Sequence, residues 1–115
     1  MQTDISISHT IQNSIIIFEF SGELDETNTD KVFSDIHREI AISQKEKVIF
    51  DFTKLRYLNS KAIGYVADTY SIMQEKSWLF AISGMNDAVS MVADIVWLQS
   101  IVKSYPDIEE ALKVI

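Results

Sequence analysis

Lys47 to Gly64 reads KVIFDFTKLRYLNSKAIG, and the order of its three parts decides the fold class. Val48, Ile49, Phe50 and Phe52 make a short β-branched and aromatic run, the composition of a buried central strand. Thr53 to Leu58 is mixed and reads as a loop. Asn59 and Ser60 are helix-cap residues. Behind them Ala62, Ile63, Val66, Ala67, Tyr70 and Met73 recur at helical spacing. Buried strand, loop and helix make half of a βαβ unit. The chain is therefore expected to be α/β, with parallel neighbours joined by right-handed crossovers.

Outward from this stretch the same alternation continues. Upstream, Asp4 to Thr10 alternates Ile5 and Ile7 with Ser6 and Ser8, a half-buried strand. Gln12-Asn13 is turn-like. Ser14 to Ser21 (SIIIFEFS) is a second strand, forming a hairpin with the first and ended by Gly22. Thr27 to Ser43 carries Val32, Phe33, Ile36 and Ile40 at helical spacing, with Asp25, Thr27 and Asn28 offering capping oxygens. Downstream, Trp78 to Ser83 (WLFAIS) is a buried strand and Gly84 to Asp87 a turn with a cap. Ala88, Val89, Val92 and Ile95 predict a short helix, and Ile101 to Tyr105 an edge strand. Pro106-Asp107 opens a last helix with Ile108, Ala111, Leu112 and Ile115 facing inward. The expectation is β-β-α-β-α-β-α-β-α: a mixed sheet of four or five strands with about four packed helices. The phenylalanines, Trp78 and Trp97 are expected in the core.

The 115 residues suit a single domain, 1–115. With 47% hydrophobic and 23% charged residues the composition is that of a globule. Zero cysteines exclude disulfides, thiolate metal sites and cysteine nucleophiles. The net charge of -7 repels phosphate backbones and anionic lipid, so neither nucleic acid nor membrane is an expected partner. Met1 to Asp4 lacks the basic start of a secretory signal, and the apolar run Ile15–Phe18 is too short to span a bilayer. A cytoplasmic monomer without cofactor or metal is expected.

Few residues offer chemistry. Gly22, Gly64 and Gly84 are too far apart for a phosphate loop. His9 and His37 share no metal-ligand spacing and read as surface or boundary histidines. Ser60 and His37 could be drawn into a triad, but no nucleophile elbow supports it. Glu19, Glu23, Asp25, Glu26, Asp30, Asp68, Asp87 and Asp94 read as solvated carboxylates. Asp51 lies near the carboxyl end of its strand, where ligands gather in α/β sheets; the competing reading has it cap the following loop. Ser60 also allows two readings. It is a helix cap, or it is a modifiable hydroxyl at the positive end of a helix dipole. There Ala62 and Gly64 leave the first turn open and Lys61 adds a positive charge, so a phosphate would be tolerated.

Three blocks, in family order over nearly the whole chain, resemble the STAS-domain anti-sigma factor antagonists of bacteria. Phe20-Ser-Gly-Glu-Leu-Asp25 is similar to the family's turn after the second strand. Val48 to Gly64 is similar to its strand, loop and Asp-Ser-Ser-Gly-Leu-Gly helix start. Leu79-Phe-Ala-Ile-Ser83, Ala88-Val89 and Glu110-Ala-Leu112 complete the series. The resemblance implies a binding module, not an enzyme. Its unphosphorylated form would bind an anti-sigma factor serine kinase and free a sigma factor. Phosphorylation on Ser60 would release it, and a PP2C-type phosphatase would reset it. The implied contact surface is Gly22, Glu23, Leu24 and Asp25 with Asn59, Ser60, Lys61, Ala62 and Gly64. The chain departs from the motif at Asn59 (usually Asp), Lys61 (usually the second Ser) and Ala62 (usually Gly). A STAS adaptor that docks without switching, in a transport or signalling complex, is the alternative.

Overall fold

The structure, a computed structural model, describes residues 4–92 and 95–115. β1 (Ile5–Gln12) and β2 (Ile15–Leu24) form the expected hairpin. Asn13 and Ser14 turn it, at φ 53° and 65°, the two-residue turn whose twist matches that of paired strands. There follow α1 (Thr29–Ser43), β3 (Lys47–Leu58), α2 (Ser60–Glu75), β4 (Leu79–Ser83), α3 (Asp87–Ser90), α4 (Ile95–Ile101), β5 (Lys103–Tyr105) and α5 (Ile108–Val114).

The five strands lie in chain order, antiparallel at β1–β2 and parallel elsewhere. Every parallel step moves one strand in the same direction. Right-handed crossovers therefore place α1, α2 and α3–α4 on one face. The strand period of two sorts the core accordingly. Ile16, Phe18, Phe20, Val48, Phe50 and Phe52 face those helices, packing with Phe33, Ile36, Val66, Val89 and Leu98. Ile15, Ile17 and Ile49 face the other way, against Ala111, Ile108, Leu112 and Ile115 of α5. All six phenylalanines are buried, but Trp97 is 54% exposed on α4 and not in the core.

Three expected boundaries move. The single helix over Ala88 to Ile95 is instead two short helices, giving five helices among the described residues; residues 93 and 94, Asp94 included, lie outside them, as do Met1 to Thr3. Ile101 ends α4 instead of starting β5. The largest change is at β2–β3: β2 continues through Gly22 to Leu24, and the expected loop Thr53–Leu58 is strand. β3 carries two extra residues there, since Glu19 pairs Asp51 while Ser21 pairs Lys54, and Gly22 pairs Leu55 while Glu23 pairs Tyr57. These bulges break the two-residue period that marks a strand in sequence.

Side chains hold the bulged segment. β4 ends opposite Asp51, so β3 loses its second neighbour. Asn86 Nδ2 replaces it, donating to the carbonyls of Phe52, Thr53 and Leu55 (3.2, 3.3 and 2.7 Å). Asp51 Oδ1 accepts from Thr53 N (3.1 Å), Thr53 Oγ1 (2.6 Å) and Ser83 Oγ (3.3 Å). Asp51 is therefore the cap of its own turn. Gly22 sits at φ 119°, where a Cβ would lie 2.2 Å from Asp4 O, so both conformation and space demand glycine.

Candidate functional site

The carboxyl ends of β2 and β3 deliver two loops side by side, and Asn59 N donates to Leu24 O to join them (3.1 Å). The first loop is braced from within. Asp25 Oδ1 accepts from Thr27 N (2.9 Å) and Thr27 Oγ1 (2.7 Å). Asn28 Oδ1 accepts from Asp25 N (3.1 Å), while its Nδ2 donates to Glu23 O (2.9 Å). Thr29 Oγ1 donates to Asp25 O. The expected capping oxygens thus go to the loop; Asn28 makes no side-chain cap to α1.

In the second loop the cap is Asn59, whose Oδ1 accepts from Ala62 N (2.9 Å). Ser60 is then the first residue of α2 and is exposed. It shares a depression with Glu26, Tyr57, Asn59 and Lys61. The sequence offered no sign of Glu26 or Tyr57 here. Tyr57 would share the inward face of Leu55 in a regular strand, but the bulge between them turns it out to 42% exposure.

Lys61 is engaged by α1. Its Nζ lies 2.8 Å from Asp30 Oδ1, and Tyr65 OH donates to the same oxygen (2.6 Å). The hydrogen bond from Lys61, then that from Tyr65, holds the Asp30 carboxyl below its usual range. The hydrogen bond to Asp30 in turn raises the Lys61 ammonium and the Tyr65 hydroxyl. The lysine expected to stand available beside Ser60 thus has a partner 31 residues upstream.

The expected contact residues divide. Glu23 and Asp25 are half-buried, Asn59 likewise, and Ser60, Lys61 and Gly64 are exposed. Leu24 and Ala62 are wholly buried and Gly22 is buried, so these three shape the surface from beneath. Gly64 is as open as expected: a Cβ there meets nothing within 4 Å. Glu23 also reaches Arg56 across the strands (3.8 Å).

The histidines lie elsewhere. His9 faces Glu39 (3.4 Å). His37 joins α1 to α2, with Nε2 2.8 Å from Thr69 Oγ1. That hydroxyl donates to Tyr65 O (2.9 Å), so Nε2 carries the proton. Burial lowers the His37 pKa, and Asp68 partly opposes the shift. Among the described residues no group of three or more His, Cys, Asp or Glu converges to hold a metal, and no helix is long and apolar enough to cross a membrane.

The STAS domain pattern matches residues 6–111, and the chain belongs to the STAS domain family. Over 112 residues it is 25% identical to the anti-sigma F factor antagonist of Paenibacillus polymyxa, covering 97% of this chain and 94% of the relative. Its fold is similar to that of an anti-sigma factor antagonist from Mycobacterium paratuberculosis, at TM-score 0.84 and 18% identity, covering 96% of this chain and 92% of the other. It is also similar to the phosphorylated form of the Bacillus cell fate determinant SpoIIAA, at TM-score 0.69 and 15% identity, covering 96% and 97%.

Proposed function

We propose that this chain is an anti-sigma factor antagonist whose docking face is switched at Ser60. The unphosphorylated protein binds an anti-sigma factor serine kinase and so frees a sigma factor. The kinase transfers the γ-phosphoryl group of ATP to Ser60 Oγ, which gives up its proton as ADP leaves. The antagonist then dissociates, and a PP2C-type phosphatase hydrolyses the phosphoserine. The chain acts as a cytoplasmic monomer and a binding module with no reaction of its own.

One observation carries this reading. Ser60 is exposed at the start of α2, where Asn59 supplies the cap, beside the braced Asp25–Asn28 turn. A hydroxyl so placed is reachable by a modifying protein, and its phosphate would leave the core untouched. Phosphorylation adds about -1.5 to -2 charges. That charge must be desolvated when the partner covers it, and the neighbouring Glu26 and Asp30 offer it no relief. Each loss of about 1.4 kcal/mol weakens binding tenfold.

The test is capture of the cognate anti-sigma factor kinase by wild type, Ser60→Ala and Ser60→Asp. Ser60→Ala is expected to bind like wild type, and Ser60→Asp at least about tenfold more weakly. Equal binding by Ser60→Asp overturns the switch. Mass spectrometry after incubation with that kinase and ATP separates the alternative: an unmodified Ser60 favours an adaptor that docks without switching. The substitution of Lys61 for the motif's second serine motivates that second reading.

A further inference from the structure

We propose that phosphoserine at position 60 takes Lys61 away from Asp30, so that one modification both charges the docking face and releases the ion pair that ties the first turn of α1 to α2. This rests on the function proposed above and names how its site responds.

The geometry is a choice between two anions for one cation. Lys61 and Ser60 are consecutive and line the same depression. At present Lys61 Nζ spans to α1, 2.8 Å from Asp30 Oδ1 and 3.0 Å from Oδ2. Both partners are more than half exposed, Lys61 at 54% and Asp30 at 62%, so the pair is weak. A phosphate tethered to the adjacent residue brings up to twice the charge and three acceptor oxygens. It also needs less ordering of chain than a carboxylate on another helix. Glu26 lines the same depression and its charge also favours the Lys61 ammonium, so the lysine stays on this side of the site whichever anion holds it.

The loss is felt on α1. Asp30 stands in the first turn of that helix, next to the braced Asp25–Asn28 loop that forms the other half of the proposed face. Without Lys61 the Tyr65 hydroxyl still joins Asp30 to α2. The signal written on the second loop thereby reaches the first. A serine at position 61, as in the family motif, has no cation to hand over, so the exchange belongs to this chain.

The experiment uses the full chain with phosphoserine installed at position 60 during synthesis, which needs no kinase. Nuclear magnetic resonance follows the Asp30 carboxyl and the phosphate through a pH titration, with and without Lys61→Met. In the phosphoprotein the Asp30 pKa is expected to rise toward the ordinary carboxylate range. The phosphate's second pKa is expected to lie roughly half a pH unit below that of the Lys61→Met phosphoprotein, the scale of an exposed partner. An Asp30 titration unchanged by phosphorylation, with a phosphate pKa indifferent to Lys61→Met, overturns the exchange. Kinase capture by the same phosphoprotein keeps the two proposals apart. Lost binding with Lys61 still on Asp30 sinks the exchange and leaves the switch; retained binding with Lys61 transferred does the reverse.

Discussion

Gly22 and Gly64 sit in the two blocks that meet at the site. Gly22 is buried, at φ 119°, with Asp4 O where its Cβ would go. Gly64 is exposed in α2 with open space around it. The same contrast runs through their neighbours. The first block spends its polar atoms on itself, through Asp25, Thr27, Asn28 and Thr29. The second presents Ser60 and Lys61 outward, with Asn59 capping α2 and Lys61 reaching Asp30. The first block is held rigid from within while the second turns charged and polar groups to solvent, so the two motif glycines stand there for different reasons.

Substitutions can break that contrast. Gly22→Ala is expected to be the most damaging, about 3 kcal/mol or more, because strained backbone and a backbone clash coincide; urea unfolding measures it. Asn28→Ala leaves Asp25 N and Glu23 O without their partner and is expected to lose about 2 kcal/mol in the same assay. Asn59→Ala removes a single cap and is expected to lose about 1 kcal/mol. Gly64→Ala should run the other way, stabilising by up to about 1 kcal/mol, since helical glycine is unfavourable and nothing opposes the methyl. A destabilised Gly64→Ala would erase the contrast between the two glycines.

The smallest expected effect sharpens the link between α1 and α2. Burial lowers the folded pKa of His37 below the ordinary 6.5, so the unfolded chain takes up its proton first as pH falls. The stability His37 contributes is complete above that ordinary value and is lost as pH drops through it toward the lowered folded pKa. His37→Gln keeps a donor to Thr69 but cannot titrate. Its stability is expected to fall less than wild type's between about pH 7.5 and pH 5, read by thermal unfolding. Identical slopes would show that His37 is not held neutral between the helices.

Much of this was legible in the chain. Alternation marked β1, the β-branched runs marked β2, β3 and β4, and helical spacing marked α1, α2 and α5. These signals depend on residues a few positions apart. The period even placed Ala62 among the inward residues of α2, while the motif placed it on the contact face; the structure buries it. The extension of β3 to Leu58 was not legible. Its pairing partner is remote, its two bulges scramble the alternation, and Asn86, 31 positions beyond Leu55, completes its hydrogen bonds. Tyr57 entered the site for the same reason.

Local chemistry in the sequence alone settled the α/β order, the hairpin and the two motif blocks. These follow from side-chain volume, branching and capping, which act between near neighbours. Only the folded chain decided that Asn59 caps α2 while Ser60 opens it exposed, that Asp30 holds Lys61, and that Leu24 and Ala62 are buried. Such pairings depend on where strand register and helix phase bring residues from distant parts of the chain, and that placement is a property of the whole packed sheet.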